Sequence, residues 1–170
     1  MTLAHILALA VALVACVTDV HSRRIPNVLT FGAALAALGV GAAIGGFTGA
    51  TSTLAGWVVG LAVFFVPFAL RGLGAGDVKL MAALGAWLGP ADALWLGVYT
   101  ALAGGVVALF VAIARGYLRP ALSNVWLLLT HWRARGLRAL PDITLEGSGG
   151  PRLAYAVPIF CGLVMTLWLR

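Results

Sequence analysis

Read for runs of apolar residues, the chain divides into long unbroken stretches separated by short polar punctuation. Stretches of about 20 apolar residues are what a helix needs to cross the hydrocarbon of a bilayer. The pattern predicts spans at about 3–20, 28–47, 53–70, 78–89, 92–114 and 153–169. The fourth and fifth come from one apolar run broken at Gly89-Pro90-Ala91-Asp92, which reads as a tight turn after a short span. Between the fifth and sixth, Leu122, Val125, Trp126, Leu129 and Trp132 recur at helical spacing and are followed by Arg133, Arg135 and Arg138. Such a stretch is too short for a further span and suits a helix lying in the headgroup layer. After it, residues 141–150 read as flexible loop. The expected fold is an all-α polytopic membrane protein, one domain over 1–170, with about six transmembrane helices and one interfacial amphipathic helix.

Composition supports the bilayer as solvent. The chain is 62% hydrophobic and 9% charged, where a soluble domain carries roughly 25% charged residues. Its 22 glycines suit helices that approach closely through small faces. The start of the chain does not read as a cleaved leader. Leu13-Val14-Ala15-Cys16 resembles a lipoprotein box, but residues 1–5 hold no Lys or Arg, which a signal peptide's first region requires. Cys16 and Cys161 both fall in apolar runs, no CxxC pair exists, and both thiols are expected to be buried as small hydrophobes.

The net charge of +6 is expected to orient the chain rather than bind nucleic acid, because the arginines are spread over short loops. With the N-terminus outside, the inner segments 21–27, 71–77 and 115–152 contain Arg23, Arg24, Arg71, Arg115, Arg119, Arg133, Arg135, Arg138 and Arg152. Lys79 lies just beyond the second segment, so ten of the eleven basic residues share one face and only Arg170 does not. Cytoplasmic loops carry that excess. If 78–88 merely dipped into the membrane and returned, six arginines of the last loop would lie outside, against the same rule.

Five acidic residues exist: Asp19, Asp77, Asp92, Asp142 and Glu146. The last three fall in solvated loops. Asp19 and Asp77 fall at the edge of the hydrocarbon, on one face, where an ionisable group is costly and marks a functional site by default. Singly, each has a plain reading: Asp77 as a helix N-cap, Asp19 as the partner of Arg23 one turn on. As a pair they offer more. Two neighbouring carboxyls can share one proton, leaving a base to activate water and an acid to hydrogen-bond a peptide carbonyl. Gly74 and Gly76 precede Asp77 and are expected to let the backbone approach a substrate strand and adopt positive φ. His5, His21 and His131 stand singly, without metal-ligand spacing; neither metal nor cofactor is expected.

The combination Asp19-x₅-Ile25-Pro26-Asn27 with Gly74-Ala75-Gly76-Asp77-Val78-Lys79-Leu80, together with Ala154 to Gly162 near the end of the chain, resembles the type IV prepilin peptidase family of GxGD aspartyl proteases. The resemblance implies that Asp19 and Asp77 are the catalytic pair. It also implies that the substrate is a prepilin or pseudopilin, cut before its hydrophobic N-terminal helix at the cytoplasmic face of a bacterial inner membrane. Longer members carry paired CxxC motifs and methylate the new N-terminus. Without those motifs, a peptidase lacking methyltransferase activity is expected, similar to those serving tight-adherence (Flp-type) pili. Lys79 is expected to tune Asp77, to hold the loop, or simply to snorkel; Pro26 and Asn27 are expected to shape the turn into the second span. The alternative from another class is a non-catalytic membrane assembly or transport component, although a transporter would place its acids nearer the midplane.

Overall fold

The computed structural model describes residues 2–136 and 154–170 and is all helical. Six helices follow in order: α1 (Leu3–Ser22), α2 (Asn27–Ala69), α3 (Ala75–Leu88), α4 (Pro90–Ala114), α5 (Leu118–Arg135) and α6 (Ala156–Leu169). Of these, α1, α2 and α4 are long and apolar enough to cross a membrane. The predicted 141–150 loop, with Asp142 and Glu146, lies outside the described residues, as do Arg138 and Arg152.

Two of the expected spans are one element. A straight helix of 43 residues would reach roughly 65 Å, twice the hydrocarbon thickness. It folds back instead at Gly46, whose φ of 57° and ψ of −140° are non-helical and open chiefly to glycine. The break is so tight that the backbones of Gly41 and Gly49 touch, so no loop occupies the five residues expected between the two spans. Pro90 sits in the first turn of α4 behind Gly89 at φ 81°, where proline's missing N–H costs nothing.

Packing inverts the pattern of a soluble protein. The buried residues of α1 are Ala8, Ala12, Ala15 and Asp19, one stripe at helical spacing, while Leu13, Val14 and Val17 face outward. In α2 the buried set is largely small as well: Thr30, Ala33, Ala37, Thr53, Gly56, Gly60 and the larger Phe64. Large apolar side chains lose nothing by facing lipid, whereas small ones let backbones approach and gain dispersion contacts. The closest approach sets Gly56 of α2 against Gly85 of α3, where neither glycine leaves room for a Cβ.

That approach places α3 at the centre. Every residue from Leu80 to Trp87 is buried, against α1, α2, α4 and α6. Its 14 residues measure about 21 Å, less than the bilayer core, and it reaches lipid nowhere along that stretch. By contrast α5, among the described residues, packs chiefly against α4. Leu122, Val125, Trp126 and Leu129 are more than half exposed on it. One expectation is corrected: Cys161 is exposed on the outer side of α6 and Cys16 only partly buried, because in lipid a small thiol gains nothing by turning inward.

Candidate active site

Asp19 closes the buried stripe of α1 and is 8% exposed. Three residues further on, α1 ends as Arg23 turns left-handed at φ 55° and its backbone N–H donates to the Asp19 carbonyl at 2.8 Å. The carboxylate looks to another helix: Oδ2 accepts from the backbone N–H of Ala156 at 3.2 Å. Ala156 opens α6, so this N–H is one of the donors a helix start leaves without an internal partner.

Asp77 is held the same way within its own helix. Gly74 is the N-cap of α3, in extended conformation at φ −80° and ψ 151°, and its N–H donates to Asp77 Oδ2 at 3.2 Å. Asp77 is therefore the third helical residue reaching back to the cap, not the N-cap itself. Both carboxylates thus sit at helix N-termini, α6 for Asp19 and α3 for Asp77, where the helix dipole favours negative charge. They lie close enough for the charge of Asp19 to act on Asp77, and no hydrogen bond joins them.

The glycines of the motif act through space rather than through φ. Neither Gly74 nor Gly76 has positive φ, contrary to expectation, because one is an extended cap and the other is already in the first turn of α3. A Cβ on Gly74 would stand 3.2 Å from Asp77 Oδ2, and one on Gly76 would stand 3.4 Å from the Cβ of Ile25. The first keeps the carboxylate uncrowded; the second lets the link between α1 and α2 lie against α3.

Lys79 does not approach Asp77. Residues two apart on a helix do not face each other, and the Lys79 Nζ instead donates to Asn27 Oδ1 at 2.9 Å. Pro26, at φ −61° and ψ 134°, precedes Asn27 as the N-cap of α2.

Tyr155 is the neighbour that the spare use of charged residues gave no reason to single out. It precedes α6, feels the charge of Asp77, and stacks edge-on against Phe64 at 6.0 Å. Its hydroxyl rests in the space left by Gly104 of α4. Only the small residue at 104, far off in sequence, hints at that fit. Among the described residues no three His, Cys, Asp or Glu side chains gather into a metal-binding set.

An all-helical bundle fitted to lipid, with the carboxyls of Asp19 and Asp77 brought to one end of its central helix, defines a membrane protein with two neighbouring acids at that end. Comparison with known families is in keeping with this: the type IV leader peptidase family matches residues 6–112, more than half of the chain and both aspartates. The chain belongs to the type IV leader peptidase family, and is thereby a protease of the aspartic type. No curated protein and no solved structure matches it.

Proposed function

We propose that Asp19 and Asp77 are the catalytic pair of a peptidase that removes the leader from type IV or Flp-type prepilins, or pseudopilins, at the cytoplasmic face of a bacterial inner membrane. The observation that carries the assignment is their convergence. Residues 58 positions apart come to one end of the bundle, each anchored on a backbone N–H group at a helix start, near enough for the charge of Asp19 to act on Asp77. Ten of eleven basic residues fall on that same side in the six-span topology, which supports its being cytoplasmic.

In this reading one carboxyl acts as the carboxylate and the other carries a proton, the division of labour on which two-aspartate peptidases depend. The carboxylate takes a proton from water as the water oxygen bonds to the scissile carbonyl carbon. The protonated partner hydrogen-bonds the carbonyl oxygen and stabilises the charge that develops there. Collapse of the tetrahedral species breaks the C–N bond, and the proton held by the first carboxyl passes to the leaving amine. The α3 and α6 N-termini favour the ionised member throughout. No CxxC motif is present, and the reading is of a peptidase without methyltransferase activity.

The test is co-expression of a prepilin with wild-type, Asp19→Asn and Asp77→Asn forms. Asn keeps shape and hydrogen bonding but neither accepts nor releases a proton in the cycle. Each variant is expected to insert normally and to leave the leader uncut. Full processing by either one would remove that aspartate from the mechanism.

A further inference from the structure

The two motifs that carry the carboxyls also touch each other elsewhere. Lys79 leaves α3 about 200° around the helix from Asp77. Besides its 2.9 Å bond to Asn27 Oδ1, its ammonium stands 5.5 Å from the centre of the Phe31 ring. Asn27 and Phe31 lie one turn apart at the start of α2. Two residues before Asn27, Ile25 packs on Gly76. The link between α1 and α2 is thus pinned to the start of α3 at two points, within it at Ile25 and just beyond it at Asn27.

The pins supply something the carboxyls cannot. Asp19 is anchored to α6 and Asp77 to its own helix; no hydrogen bond runs directly between them, and like charges repel when both ionise. Each motif therefore contributes one aspartate and one half of each pin: Asp19, Ile25 and Asn27 on one side, Asp77, Gly76 and Lys79 on the other. We propose that the Lys79–Asn27 bond, with the Ile25–Gly76 contact beside it, is a positioning device that holds the carboxyl end of α1 against the first turn of α3 and so keeps the aspartates in register. The proposal rests on the catalytic reading of Asp19 and Asp77. Lys79 and Asn27 are positioning residues in it, touching neither substrate nor reacting atoms.

The experiment uses the full chain in lipid nanodiscs with a prepilin substrate. Lys79→Met and Asn27→Ala are each expected to lower kcat about tenfold, the scale of one hydrogen bond from a charged donor, with KM little changed. Combined, they are expected to do no worse than either alone, since both delete the same bond. Lys79→Arg, which keeps a charged donor, is expected to recover part of the rate. A second readout needs no catalysis: in a Cys16→Ser, Cys161→Ser background, the pair I25C/G76C would set its Cβ atoms 3.4 Å apart, next to the ~3.5–4.5 Å that a disulfide spans, and Lys79→Met is expected to slow its closure. Wild-type kcat in Lys79→Met, or a rise in KM alone with unchanged closure, would overturn the proposal, the latter by putting Lys79 on the substrate. If Lys79→Met fails to insert, Asn27→Ala reports on the same bond from the other side. Asp19→Asn and Asp77→Asn assayed alongside keep the claims apart: cleavage by those variants sinks the catalytic reading, while closure kinetics still test the pins.

Discussion

Helices α3 and α5 are similar in length and opposite in circumstance. The first is buried on every side from Leu80 to Trp87; the second shows Leu122, Val125, Trp126 and Leu129 to its surroundings. Composition does not separate them in the way a soluble protein would lead one to expect, since α5 carries the larger apolar side chains. What separates them is smallness. In α3, Ala82, Ala83, Gly85 and Ala86 let four neighbouring elements close in, and no residue of α5 is smaller than Ala121, Ser123 and Ala134. In this bundle small residues mark the seams where helices close in, while Leu80, Met81, Leu84 and Trp87 fill the space beside them.

The largest test of that contrast is Gly85→Leu. A side chain there would meet the backbone of Gly56, and the strain is expected to exceed the ~1–3 kcal/mol of ordinary overpacking. Loss of the monodisperse peak in detergent gel filtration is the expected result. Gly105→Leu, where a Cβ meets nothing within 4 Å, is the control and should stay within about 0.5 kcal/mol of wild type. Equal behaviour of the two variants would break the comparison.

Next in size is Gly104→Ala. The new methyl would fall 2.7 Å from the Tyr155 hydroxyl and displace the residue on which α6 begins. A loss of about 1–3 kcal/mol is expected, with lowered peptidase activity because α6 also holds Asp19. Adding Tyr155→Phe should recover part of both, as read by thermal unfolding and prepilin cleavage.

For α5 the expectation is a change of seat without a change of fold. Replacing Leu122, Trp126 and Leu129 together by Ser should leave the melting of the bundle unaltered, while quenching of tryptophan emission by brominated lipid falls. A large drop in bundle stability would show that α5 belongs to the packed core after all. The smallest effect is expected at the far end of the molecule, where Arg170 pairs with Asp92 at 3.5 Å and stands over the Trp95 ring at 5.3 Å. Both partners of the ion pair are substantially exposed, so Arg170→Ala should cost no more than about 1 kcal/mol.

Much of the site was legible in the sequence because charge is so scarce there. Asp19 and Asp77 stood out as acids with no solvated loop to explain them, and the basic residues placed both at one edge. The stripe of Ala8, Ala12 and Ala15 leading to Asp19 was equally open to inspection, as small residues at helical spacing. Other features left no such trace. When both the lipid face and the core are apolar, periodicity of hydropathy carries little signal, so the pattern shows two spans there and not the fold-back at Gly46. The partner of Lys79 lay 52 residues away, and nothing local distinguished Asn27 from any other turn residue. Positive φ was expected at Gly74 and Gly76 because glycine permits it, whereas the helix start there required only the absence of a side chain.

The anchoring of each aspartate on main-chain N–H groups has a bearing on how the site is able to vary and how it is to be probed. The donors belong to residues 156 and 74 whatever their side chains are, so an alanine scan passes over them without a mark. Drift at Ala156 leaves that hydrogen bond intact. Proline is the exception: at 156 it would subtract one hydrogen atom from the pocket of Asp19 and would also press on Tyr155, whose φ of −72° and ψ of −14° are disfavoured before proline. The electrostatics of this site are in that sense inherited through the chain's path rather than its letters.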